Sequence, residues 1–158
     1  MKLERKYSLL EAKARLEALC AYQERCSCEL AKRMQSWNLD REDQDRLLAE
    51  LISSNFLNEE RFAEAFVSGK MRIKRWGKIK IRIELKKRFI SNYSIDKALR
   101  EIDLDEYWKN LVHLSERKWA LSTEKDLFKR KVKLYRFLNT KGYESDLIKD
   151  AVDAISRP

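Results

Sequence analysis

Ten basic side chains stand within nineteen residues of one another: Lys70, Arg72, Lys74, Arg75, Lys78, Lys80, Arg82, Lys86, Lys87 and Arg88. Glu84 is the one acid among them. This segment carries +9, the formal net charge of the whole 158-residue chain, because the other 25 basic and 25 acidic residues cancel. Like charges repel at that density, so a chain that keeps them together has something anionic to set against them. A second basic run follows at Lys125, Lys129, Arg130, Lys131 and Lys133. Nucleic acid, or a protein that carries it, is the polyanion such runs suit. The first run together with Lys129, Arg130, Lys131 and Lys133 supplies the candidate contact residues. Trp76 lies inside the first run, and Tyr135 and Phe137 follow the second. Stacking on single-stranded bases is one use for such rings, and a place in a helical core is the other.

Other chemistries find few residues to work with. Gly69 and Gly77-Lys78 lack the spacing of a phosphate-binding loop, and Ile79 stands where Ser or Thr would bind magnesium. The carboxylates Asp40, Glu42, Asp43 and Asp45 suit the start of a helix, where they oppose the positive end of its dipole, better than a magnesium cluster. Cys26 and Cys28 with the lone His113 make a poor metal site, so neither metal nor other cofactor is expected. Three cysteines, Cys20, Cys26 and Cys28, read as reduced cytosolic thiols that pack between helices. The N-terminus lacks the apolar stretch of a secretory signal, and no run reaches the length of a membrane span. A cytoplasmic protein is expected.

The elements that must hold the basic residues are helices. With 3 Gly and 1 Pro, the chain has too few turn formers for a sandwich or barrel. Ser8-Leu-Leu-Glu11 reads as a capping box before a helix with Leu9, Ala12, Leu16 and Leu19 inward. Ser27 is expected to cap a short helix through Leu30 and Met34, and the acidic run opens a third with Leu47, Leu48, Leu51 and Ile52 inward. Asn58 begins a fourth, with Phe62, Phe66 and Ile73 near one stripe. Lys78 to Leu85 alternates with period two, which alone suggests a strand. No second alternating run exists to pair with it, so a helix is the expectation. Helices at 94–102, through Trp108 to Trp119, at 126–139 and at 145–155 complete nine.

Nine helices fall into three groups of three. Displacing the chain by 53 residues brings Lys78 onto Lys131, Lys80 onto Lys133, Leu85 onto Leu138, Ile95 onto Ile148, Ala98 onto Ala151 and Ile102 onto Ile155. The first group fits more loosely, with Leu30 near Leu85 and Leu51 near Leu99. The expected architecture is all-α: three tandem three-helix repeats, at 1–56, 57–103 (with the basic patch) and 104–158, in a curved, elongated array.

Asn55-Phe-Leu-Asn-Glu-Glu-Arg-Phe-Ala63 resembles the glycine–aromatic–leucine–acid–acid–x–Arg–Phe–Ala signature of the RecX family of recombination regulators. Phe66-Val67, Lys74-x-Trp76-Gly77-Lys78, Ile81-x-x-x-Leu85-x-x-Arg88 and Leu138-x-x-Lys141-Gly142-Tyr143 also match, so the resemblance runs from about Ser8 to Ile155. Asn55 and Phe89 replace usual glycines, and Asn58 a usual acid. Asn tolerates a left-handed backbone, whereas Phe89 puts the tight turn there in doubt. The resemblance implies three tandem three-helix units lying along the groove of a RecA filament on DNA. It also implies inhibition of ATP hydrolysis and strand exchange by RecA, a role in recombinational repair and the SOS response, and no catalytic residues. Arg61, within the signature, is expected to pair with an acid and fix the start of its helix. The competing reading is a free-standing helix-turn-helix regulator of duplex DNA, which usually dimerises on half-sites. Nothing resembles an extra dimerisation segment, so a monomer is expected. A small helical nuclease would rest only on the scattered carboxylates.

Overall fold

The computed structural model describes residues 2–158, and among them nine helices and no strand. They are α1 (Leu9–Tyr22), α2 (Ser27–Ser36), α3 (Arg41–Ser53), α4 (Glu59–Arg72), α5 (Lys78–Lys87), α6 (Asn92–Arg100), α7 (Leu104–Leu121), α8 (Leu127–Thr140) and α9 (Ser145–Ile155). Side-chain oxygens of Ser8, Asp40, Asn58, Ser91, Asp103 and Asp126 accept from amides in the first turns of α1, α3, α4, α6, α7 and α8, satisfying donors a helix leaves orphaned. The acidic run thus serves helix geometry: Asp40 takes the Asp43 amide at 2.9 Å, and Asp45 pairs with Arg41. The second helix departs from expectation. Cys26 rather than Ser27 holds the cap position, and no side chain bonds there. No helix is long and apolar enough to cross a membrane among the described residues.

A repeated turn organises the chain. After α2, α5 and α8 comes one residue with left-handed backbone: Asn38 (φ 61°), Phe89 (φ 60°) and Gly142 (φ 90°). The next amide in each case reaches back to a buried residue, Leu39 to Met34, Ile90 to Leu85 and Tyr143 to Leu138, as in a helix closed by a Schellman turn. The following residue then stands at the N-cap position of α3, α6 or α9, with a side-chain cap bond accepted by Asp40 and Ser91 but none by Glu144. This turn corrects the alignment of the first group: Leu30 corresponds to Ile81 and Met34 to Leu85, a displacement of 51 residues, while 53 holds between the later groups. Phe89 makes the turn although it is not glycine, at a conformational cost of about 1–2 kcal/mol. Its ring is exposed.

Two apolar cores form. Ala12, Leu16, Leu30, Met34, Leu47 and Leu51 of α1–α3 enclose the first with Trp37, Leu39 and Leu57. The second runs unbroken through α4–α9, from Phe62 and Ala63 through Ile81, Leu85 and Ile95 to Leu111, Leu138 and Ile148. Ile52 and Ile73, expected inward, are exposed. Ile73 lies just past the end of α4, where the helical stripe no longer applies, and Val67 and Met71 fill the core instead. The period-two segment is helix α5, with Ile81 and Leu85 fully buried and Ile79 and Ile83 about half exposed. The first core meets the second through Cys26 and Arg61. The Arg61 guanidinium donates to Glu24 Oε1 at 2.9 Å, to Asn55 Oδ1 at 2.8 Å and to the Asn55 carbonyl at 2.7 Å, fixing the start of α4.

Candidate nucleic-acid interface

Helix α5 carries five of the ten clustered cations and has neither a side-chain cap nor an acid in its first turn. Lysines at the positive end of a helix dipole are unfavourable there. The missing partners come from the third group of helices. The Gly77 amide donates to the Lys141 carbonyl at 2.7 Å, the Ile79 amide to the Gly142 carbonyl at 2.9 Å, and the Lys78 amide to the Tyr107 hydroxyl at 2.9 Å. The Tyr107 hydroxyl in turn donates to the Glu144 carboxylate, and the Tyr143 hydroxyl donates to the Arg75 carbonyl at 2.8 Å. Burial, then the bond to Glu144, pushes the Tyr107 phenol well above its ordinary range; burial does the same for Tyr143. Both hydroxyls therefore stay protonated and can donate. So close an approach requires glycine on both sides: a Cβ at Gly77 would lie 2.2 Å from the Gly142 oxygen, and one at Gly142 would lie 2.3 Å from Lys80 Cβ.

The loop from Ile73 to Gly77 turns at Arg75, whose φ of 54° a β-carbon makes costly. Around it cations and rings alternate. Arg88 lies 4.9 Å from the Phe66 centroid, Lys70 lies 5.4 Å from Phe66 and 4.9 Å from Trp76, and Lys80 lies 4.4 Å from Trp76. Trp76 is half-buried against the core with ammonium groups over its ring, so it serves the scaffold rather than offering a bare face to a base. Four of the ten cations meet acids: Arg72 with Glu106, Arg82 with Asp96, and Lys87 and Arg88 with Glu84. Those acids lie at the surface, where such pairs are weak and exchange readily for a stronger anion. Lys70, Lys74, Arg75, Lys78, Lys80 and Lys86 have no acid within 4 Å among the described residues.

The second basic run lies on α8. Lys129 is exposed, Lys131 is half-buried, and Lys133 pairs with Glu124 at 2.8 Å. Arg130 turns onto α7, its guanidinium 3.9 Å from the Trp119 centroid and donating to the Trp119 carbonyl at 2.5 Å. Three cations outside both runs join these surfaces. Lys141 sits beside the docked end of α5, 5.6 Å from the Phe137 ring; Lys118 lies 5.0 Å from the same ring; Arg136 is exposed next to it. Sequence reading passed over them because none lies inside either dense basic run. The signal for Lys141 was Gly142 after it, a turn that had to pack on something.

The fold and site define a helical array of tandem units that carries a basic helix locked at its N-terminus, with cations interleaved with rings. Residues 58–99 match the profile described as RecX, second three-helix domain, and residues 105–152 match RecX, third three-helix domain. Regulatory protein RecX of Pseudomonas savastanoi pv. phaseolicola is 34% identical over 131 residues, which cover 82% of each chain. Regulatory protein RecX of Clostridium botulinum (strain Alaska E43 / Type E3) is 38% identical over 100 residues, 62% of this chain and 46% of that relative, so the match spans about half its length. The crystal structure of RecX from Lactobacillus salivarius superimposes with a TM-score of 0.80 at 20% identity, covering 93% of this chain and 96% of that one, which shows the shared fold. The chain belongs to the RecX family.

Proposed function

We propose that this chain is a regulatory binding protein that associates with RecA–DNA filaments and restrains ATP hydrolysis and strand exchange by RecA, with no chemistry of its own. The observation that carries the reading is the set of six cations without acid partners on and around α5, a helix whose first turn is held by carbonyls of another unit. An unpaired patch on a fixed helix attracts phosphates and acidic side chains with only the side chains, and not the helix, left to order at binding. Membership of a family whose members are named regulatory proteins supports it. In this reading the units 1–56, 57–103 and 104–158 lie along the filament as a monomer and touch more than one subunit.

The test is co-sedimentation with preformed RecA–single-strand filaments, run beside RecA-free single-stranded and duplex DNA, with ATP hydrolysis followed in parallel. Enrichment on filaments with slowed hydrolysis is expected, and affinity should fall on the order of a thousandfold between about 50 and 200 mM salt if some six phosphates are contacted. Binding to duplex DNA alone, with hydrolysis unaffected, would instead establish the helix-turn-helix regulator.

A further inference from the structure

The groove between the end of α7 and α8 is separate from the α5 patch and has its own chemistry. It encloses about 440 Å³, within the range of pockets that take a nucleotide-sized ligand. Trp119 and Phe137 line it together with the cations Lys118, Arg130, Lys133 and Arg136. Glu124 is the one acid in the lining; hydrogen bonds from Lys133 and the Asp126 amide hold its carboxyl below the usual glutamate range, so it stays ionised and engaged. Lys118, Arg130 and Arg136 have no acid within 4 Å among the described residues. Arg130 Nε is buried without an acceptor. The Arg130 guanidinium carbon lies 3.9 Å from the Trp119 centroid, and an arginine paired with an aromatic ring is a common platform for an unstacked base.

We propose that this groove is a nucleotide-unit site. It holds one phosphate of single-stranded nucleic acid against Lys118 and Arg136, with the attached base layered on the Arg130–Trp119 pair. The inference rests on the proposed function only in taking nucleic acid as the polyanion. It adds a second strand contact in a different unit, and one that reads a base face as well as charge. A duplex keeps its bases stacked and so cannot fill it.

The experiment is fluorescence anisotropy with a labelled oligo-dT of about 20 nucleotides, an abasic strand of equal length and dTMP as competitor, on the full chain and three variants. The site size of such strand contacts sets that length. The unaltered protein should prefer oligo-dT to the abasic strand. Lys118→Gln with Arg136→Gln should weaken oligo-dT binding on the order of tenfold. Arg130→Lys, which keeps the charge and loses the planar fork, should erase the preference for bases. Lys74→Gln with Lys86→Gln, in the α5 patch, should weaken both strands equally and leave the preference in place. Helical circular dichroism is the check that each variant folds, and the exposed Lys118 and Arg136 pair remains informative if Arg130→Lys does not. An unaltered preference in both groove variants, with binding lost only in the α5 variant, would overturn the inference and leave the proposed function standing. No binding of either strand by the unaltered chain would overturn both. Binding of dTMP alone as tight as oligo-dT would overturn the strand assignment in favour of free nucleotides.

Discussion

Each of the three glycines has a different stake in the structure, and their alanine variants should separate accordingly. At Gly77 a methyl group would meet the Gly142 oxygen at 2.2 Å, the Gly142 carbon at 2.3 Å and the Tyr143 nitrogen at 2.4 Å, all backbone atoms of another turn. Backbone cannot swing aside as a side chain does, so the contact must open. Opening it releases the Gly77, Lys78 and Ile79 amides from the Lys141 carbonyl, the Tyr107 hydroxyl and the Gly142 carbonyl. At about 0.5–1.5 kcal/mol net for each hydrogen bond, Gly77→Ala should cost about 2–4 kcal/mol. For a chain of this length each kcal/mol moves the midpoint by about 2–4 °C, so melting should fall by roughly 4–16 °C. Gly142→Ala adds about 1–2 kcal/mol for a β-carbon at φ 90°. Gly69 has nothing within 4 Å and sits inside α4, so Gly69→Ala should stabilise, by about 0.5–1 kcal/mol. Thermal and urea melts followed by circular dichroism measure all three, and amide hydrogen exchange at residues 77–79 should quicken only in the first two. A Gly77→Ala chain that melts within about 2 °C of the parent would refute the idea that the third unit caps α5.

Tyr107→Phe removes the hydroxyl between the Lys78 amide and Glu144 and should cost about 1–3 kcal/mol in urea denaturation, since it leaves both without that partner. Glu59 is pushed up by burial but pulled further down by the Ser91 amide and the Ser91 and Ser94 hydroxyls, so its carboxyl ionises below the usual glutamate range. A depressed folded-state value gives stability that is present above the unfolded value and lost as pH falls through the folded one. Stability should therefore drop on acidification below the ordinary glutamate range, and Glu59→Gln should flatten that drop while melting lower at neutral pH. Ala98 and Ala151 are buried at matching places in α6 and α9, so Ala98→Phe and Ala151→Phe should each lose about 1–3 kcal/mol by overpacking. Unchanged melting of both would show that these positions are not equivalent core sites.

Much of the helical plan was legible because caps and apolar spacing are local. Ser8 announced α1 and Asn58 announced α4, and the alternating segment before Leu85 resolved to helix once no partner strand could be found. What escaped depends on distance. Nothing near Gly77 says that its amide needs a carbonyl 64 positions later, and nothing near Lys141 says that it will stand beside the basic helix. The departure at Phe89 looked hostile to a tight turn, yet the Ile90 amide still closes on Leu85, because the ring points into solvent and burial of Ile90 repays the strain. At the candidate site the charges themselves were plain. Their pairing was not: Glu106 and Asp96, which meet Arg72 and Arg82, lie outside the run and reach it only through the fold.

The dependence of α5 on Lys141 and Gly142 has a consequence for the order in which a newborn chain becomes competent. The charge-dense helix leaves the ribosome first, while the turn that closes it is still to be made. At about 5–20 residues per second, several seconds pass before Gly142 is even polymerised. Throughout that interval the first amides of α5 must be served by water, and its lysines sit on a fraying end. A growing chain therefore carries the full positive charge but cannot present it in its final shape. The third group of helices acts as a timer, arming the basic helix only once the turn at Lys141 and Gly142 has been made.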